Sequence, residues 1–160
     1  MPIKVGDRLP EAKFRVMTPE GPAWKTTDDI FKGKKVALFA VPGAFTATCH
    51  KMHVPSIIQH ADALKAKGVN TIAVTAVNDV FVMDAWRKAS AAEKLDFLAD
   101  GNGEFAEAID LTFDGSGNGL GIRSKRYAML VDDGVVKMLN IEEAPGKVDV
   151  SGGDALLNRL

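Results

Sequence analysis

The sequence predicts an α/β fold, a mixed central sheet flanked by helices with a β-hairpin extension at the N-terminus. Three observations carry this. Residues 36–41 and 68–78 are apolar runs rich in β-branched residues and bounded by turn formers, the pattern of strands buried on both faces. Between them, residues 47–67 repeat apolar side chains at helical spacing, so strand, helix and strand imply a parallel pair with a right-handed crossover. Residues 127–142, "YAMLVDDGVVKMLNIE", are two apolar runs joined through Asp132-Asp133-Gly134, which reads as a hairpin adding antiparallel strands.

In chain order, "KFRV" (13–16) and "AWKTT" (23–27) flank "MTPEGP", whose prolines and glycine punctuate two extended pieces of a hairpin. The strand Val36–Val41 follows Gly33 and stops at Pro42-Gly43. The helix after it carries Met52, Ile57, Ile58, Ala61 and Leu64 and ends in "KAKG", basic residues followed by a stop glycine. Asn78-Asp79 caps a helix over "VFVMDAWRKAS", "LDFLAD" is a short strand, and residues 103–110 form a short helix. In the terminal "SGGDALLNRL", Ser151 is the expected cap, with Leu156, Leu157 and Leu160 on the buried side. No repeat, linker or low-complexity tract interrupts the 160 residues, which are expected to form a single domain.

Charge excludes several function classes. Twenty Lys+Arg against 21 Asp+Glu leave a net charge of -1, so nothing overall attracts nucleic acid or an anionic membrane. No apolar run reaches the length of about 20 residues that a spanning helix requires. A single cysteine cannot form an internal disulfide, so a reducing compartment is expected, the cytoplasm by default, with a trimmed organellar form also compatible.

That cysteine, Cys49, lies in "VPGAFTATCHKMHVP" (41–55). Thr46 is a preferred cap just ahead of the helical pattern, which puts Cys49 in the first helical turn, where unpaired N–H groups and the helix dipole favour an anion such as a thiolate. The turn also springs from the carboxyl end of a central strand, where open α/β sheets place their ligands. Cys49 is therefore expected at a site rather than within the core. An inert buried thiol is the competing reading, and free cysteine is commonly that. As for metal, Cys49 and His53 share a helix side, but His50 points about 100° away and no second ligand pair exists, so no metal site is expected. On this reading His50 faces solvent, His53 hydrogen-bonds locally or sits at an interface, and Pro55 bends the helix.

"PGAFTATC" fits P-x-x-x-T-x-x-C, and together with "VTAVNDVFVMDAW" and "SKRYAMLVDDGVVKMLNIE" it resembles the peroxiredoxins, in particular the type-5 (atypical, plant type-II-like) subfamily, here as a one-cysteine variant. The likeness runs over nearly the whole chain. It implies a thioredoxin-like fold, a homodimer, and no cofactor. It further implies that Cys49 is the peroxidatic cysteine, that Thr46 offers its hydroxyl to peroxide and thiolate, and that Pro42 shields the thiol. Arg126 matches the family's active-site arginine, and N–H groups of Gly43 and Cys49 complete the oxygen site. Lys125 alternates to the opposite strand face. Phe45, beside the motif, would line the mouth for organic hydroperoxides or meet a dimer partner.

Two departures stand out. Ala47 replaces a proline common in relatives, removing a conformational lock but no reacting group. Val150 falls where some relatives carry a resolving cysteine, so an external thiol must restore the enzyme, glutathione with glutaredoxin in preference to thioredoxin. The implied activity is thiol-dependent reduction of hydrogen peroxide and alkyl hydroperoxides through a cysteine sulfenic acid; a stoichiometric redox sensor using the same cysteine is the alternative. The glycine-rich "FDGSGNGLGIRSKR" lacks the phosphate-loop and dinucleotide spacings and reads as a loop leading to Arg126. Phe81 and Trp86, five apart on one helix, read as core or interface residues rather than a base-stacking platform.

Overall fold

In the computed structural model, which describes residues 1–160, the two apolar runs lie side by side at the centre of a seven-stranded sheet. Strands β1 (Lys13–Thr18) and β2 (Gly21–Thr26) form the N-terminal hairpin. A short α1 (Thr27–Phe31) follows, then β3 (Lys35–Ala40), a π-helical turn at Cys49–His53 and α2 (Val54–Ala66). Next come β4 (Thr71–Ala76), α3 (Val80–Ala89), β5 (Asp96–Ala99) and α4 (Glu104–Ala108). A small arm of β6 (Thr112–Asp114) and β7 (Ile122–Ser124) precedes β8 (Tyr127–Asp132), β9 (Val135–Ile141) and α5 (Gly153–Leu157). Spatial order is β2-β1-β5-β4-β3-β8-β9, with β3, β4 and β5 parallel and the outer strands antiparallel.

Period-two alternation along β3 divides the core into two layers. Ala37, Phe39 and Val41 face α2, α3 and α5, whereas Val36, Leu38 and Ala40 face Phe14, Phe31 and Phe105. Both faces are covered, which is why the strand reads as an unbroken apolar run.

Two local readings change. Thr26 and Asp29 form a capping box: Thr26 Oγ1 accepts from Asp29 N–H at 3.2 Å and Asp29 Oδ2 from Thr26 N–H at 2.9 Å. The β2 strand therefore ends there and starts α1, an element the β-branched "KTT" run conceals. At the C-terminus Gly152, not Ser151, occupies the cap position of α5. Ser151 is withdrawn into the interior because Glu142 Oε2 holds its N–H at 2.8 Å and its hydroxyl at 2.6 Å.

Candidate active site

Thr46 stands where a cap should, its carbonyl accepting the first intrahelical bond from His50 N–H at 2.9 Å. Its hydroxyl does something else, donating to the Gly43 carbonyl at 2.7 Å. That bond closes the turn of residues 42–46 and leaves the hydroxyl's lone pairs open to a further donor. Phe45 within this turn takes φ +61°, a conformation costly for a bulky residue, and its ring rests near His50 and Trp86 at 5.6 and 6.3 Å. Asn78 Oδ1 receives the Ala44 N–H at 2.9 Å, tying the turn to the end of the β4 run.

Past the turn, Val54 N–H bonds the Cys49 carbonyl, an i to i+5 step that widens the helix for one turn. Pro55 accounts for the irregularity: it has no N–H to give, and its ring would clash with the preceding turn of an ordinary helix. The anticipated bend is thus taken up as a π-turn.

Cys49 is fully buried, which corrects the expectation that it lies outside the core. Its side chain joins the same buried apolar cluster as Phe39 of β3 and Ile57 of α2. It is not an inert setting, however, because Arg126 is buried beside it. Arg126 Nη2 donates to Cys49 Sγ at 3.0 Å and to the Pro145 carbonyl at 2.9 Å, Nε donates to that same carbonyl at 3.1 Å, and Nη1 donates to His53 Nδ1 at 2.8 Å. A guanidinium has five N–H donors, so one on Nη1 remains unspent. None of the molecule's five ion pairs includes Arg126. A buried cation without a counter-charge is expensive, and a thiolate at Cys49 would supply the missing charge.

His53 is the residue that sequence reasoning treated as background. It is fully buried, and its partners are distant in sequence rather than local: Arg126 on Nδ1, and the Ser151 carbonyl 2.7 Å from Nε2. Since Arg126 only donates, Nδ1 accepts and Nε2 carries the hydrogen. Burial, with the Arg126 charge adding to it, pulls the His53 pKa down to about 3 against the opposing Ser151 bond, so the ring is neutral. The usable signal was the i, i+4 spacing of Cys49 and His53. His50 also departs from expectation: it is half-buried, and Trp86 Nε1–H donates to its Nδ1 at 3.0 Å.

The remaining singled-out positions fall around this cluster. Pro42 and Gly43 are buried, and the backbone N–H groups of Gly43 and Cys49 donate to no protein atom. A Cβ on Gly43 would stand 2.8 Å from Arg123 Nη1 and 3.0 Å from Thr46 Cγ2, so a larger residue there would push the Arg123 side chain aside and press on Thr46. Phe45 is half exposed, Phe81 exposed, Trp86 buried, and Val150 partly exposed on the segment that returns to the site. Ala47 is exposed, and Lys125, half-buried, lines a hollow with Glu142 and Pro145 on the far side of Arg126.

A family model described as Redoxin matches residues 4–157. Peroxiredoxin-2C of Oryza sativa is 45% identical over 161 residues, covering 99% of each chain. The hybrid peroxiredoxin hyPrx5 of Haemophilus influenzae is 42% identical over 97% of this chain and 65% of its own. Reduced Prx3 of Vibrio vulnificus in complex with H2O2 is 48% identical, with a TM-score of 0.94 over 98% of both chains. For peroxiredoxin 5 of Alvinella pompejana the values are 37% and 0.86, over 98% of this chain and 97% of that one. With likeness of this extent on a thioredoxin-like frame, the chain belongs to the redoxin family and is a peroxiredoxin of the type-II and type-5 kind.

Proposed function

We propose that this peroxiredoxin reduces hydrogen peroxide and alkyl hydroperoxides at Cys49 and is restored by an external thiol. The observation that carries the reading is the 3.0 Å contact between Arg126 Nη2 and Cys49 Sγ, made by a buried arginine that has no carboxylate partner. The thiolate attacks one peroxide oxygen: an S–O bond forms, the O–O bond breaks, and the leaving oxygen departs as water or alcohol after taking a proton, leaving a sulfenic acid. Four groups support binding of the peroxide. They are the free N–H groups of Gly43 and Cys49, the remaining Nη1–H of Arg126, and the Thr46 hydroxyl, which is left to accept because its proton goes to Gly43 O. As charge grows on the leaving oxygen, the three N–H donors among them need no reorganisation. Pro42 and Phe45 complete the walls.

With Cys49 the one thiol in 160 residues, regeneration draws on an outside donor, for which we favour glutathione with glutaredoxin over thioredoxin. Such chemistry suits a reducing compartment, the cytoplasm being our reading; no helix is long and apolar enough to cross a membrane. We further read the chain as one domain and as a homodimer, the latter supported by exposed Phe45, Met52 and Phe81. A peroxidase assay coupled in parallel to glutathione/glutaredoxin and to thioredoxin tests the function. Cys49→Ser should abolish turnover in both, and retained turnover would refute the mechanism.

A further inference from the structure

We propose that Arg123 is a carboxylate-binding site at the entrance to Cys49, which captures an anionic thiol reductant; this rests on the reading above that an external thiol restores Cys49. Arg123 projects from β7 over the turn that leads into the Cys49 helix. Nη1 donates to the Pro42 carbonyl at 3.2 Å and Nε to the Leu120 carbonyl at 2.9 Å. Nη1 and Thr46 Cγ2 crowd the same point, the empty Cβ position of Gly43, so the guanidinium lies against the residues that shape the peroxide pocket.

Three properties mark it as an anion site. It is fixed at two points, yet both acceptors are neutral carbonyls, so its charge is not cancelled there. None of the five ion pairs contains it. It is half-buried rather than sealed, with three of its five N–H donors free, enough for a forked grip on a carboxylate. Partial burial also weakens the solvent screening that makes exposed arginines poor anion hosts. Arg126, by contrast, is enclosed and has one donor left.

Hydrogen peroxide and simple alkyl hydroperoxides bring no negative charge to this position. A thiol such as glutathione does, with two carboxylates. In the step served, the thiol sulfur bonds to the Cys49 sulfur as the S–O bond of the sulfenic acid breaks. The hydroxyl leaves as water with the thiol's proton; the thiol sulfur is oxidised and the sulfenic sulfur reduced. A second thiol molecule then displaces Cys49 and carries away the disulfide.

The test is single-turnover reduction of the full chain after one equivalent of hydrogen peroxide, with glutathione, glutathione diethyl ester and 2-mercaptoethanol compared at equal thiolate concentration. The readout is the ratio of the glutathione rate to the ester rate, which a general loss of activity does not move. In the wild-type chain this ratio should exceed one by about tenfold, the size of a partly screened arginine–carboxylate pair. In Arg123→Gln it should fall to near one, and in Arg123→Lys to between the two. A wild-type ratio near one, or a ratio that Arg123→Gln leaves intact, would overturn the proposal, and the wild-type comparison decides even where the variant fails to fold. If mass spectrometry finds no oxidised Cys49 after peroxide, the underlying reading itself fails. If the sulfenic acid forms but the thiols reduce it without charge selectivity, the Arg123 assignment alone fails.

Discussion

Arg126 Nη1 lies 2.8 Å from His53 Nδ1, and because a guanidinium can only donate, this contact exists only while the imidazole is neutral. The unfolded chain, with an ordinary histidine, takes up a proton below about pH 6.5 that the folded chain refuses until about pH 3. The folded pKa is lower than the unfolded one, so for a base the folded state binds fewer protons across that window and stability falls as pH drops through it. The full slope is about 1.4 kcal/mol per pH unit, vanishing above the window. Denaturant melts of wild type and His53→Gln between pH 7 and pH 4 check this: the variant should have a flatter acid limb, and identical limbs would show that His53 does not carry the effect.

The same contact predicts a split between two substitutions. Glutamine at position 53 can still offer an oxygen to Nη1, whereas leucine cannot and leaves a buried donor bare. Peroxide consumption by His53→Gln should exceed that by His53→Leu, the latter losing about tenfold or more as Arg126 loses its hold. Equal rates would remove His53 from the positioning of Arg126.

Arg126→Ala removes the only cation in contact with Cys49 Sγ. The variant should react with peroxide about a hundredfold more slowly or worse, read by stopped-flow oxidation. Arg126→Lys should recover little, because a point charge cannot hold Cys49, His53 and Pro145 at once.

The readable part of the molecule was whatever its physics keeps local. Strand β3, its Pro-Gly stop, the Thr46 cap position and Cys49 in the first turn all follow from periodicity and neighbours within a few residues. The meeting of Cys49 and Arg126 joins positions 77 apart and was available only through resemblance to relatives. His53 had no such help. Its partners lie 73 and 98 residues away, and its own stretch presented two histidines that looked alike. Burial of Cys49 was missed for a related reason: a helix start at the carboxyl end of a central strand marks a site, but the apolar cluster that encloses the sulfur is gathered from distant segments, Trp86 and Leu156 among them.

Gly43→Ala should disturb the site without touching a reacting group, since the new methyl meets Arg123 Nη1 at 2.8 Å and Thr46 Cγ2 at 3.0 Å. Because the closest atom is the movable end of Arg123, the stability loss should stay within about 1 kcal/mol, with slower peroxide reaction as Thr46 shifts. Thermal melting and stopped-flow oxidation measure the two effects separately.

Glu142→Ala should be worse for stability than most surface changes. Its Oε2 gathers the Val150 N–H, the Ser151 N–H and the Ser151 hydroxyl at 2.9, 2.8 and 2.6 Å, and the substitution strands all three. A loss of about 2–4 kcal/mol follows, and Ser151 O, freed from its place, should release His53. A parallel drop in peroxide rate would connect the two ends of this chain of bonds.

The Glu142 clamp bears on how the enzyme spends its cycle. A peroxidase that closes a disulfide from position 150 has to pull that residue off its moorings and rebuild them at every turnover. If, as proposed, an outside thiol restores Cys49, Val150 N–H can stay bonded to Glu142 from one peroxide to the next, and amide exchange along residues 142–151 should look the same in the reduced and oxidised protein.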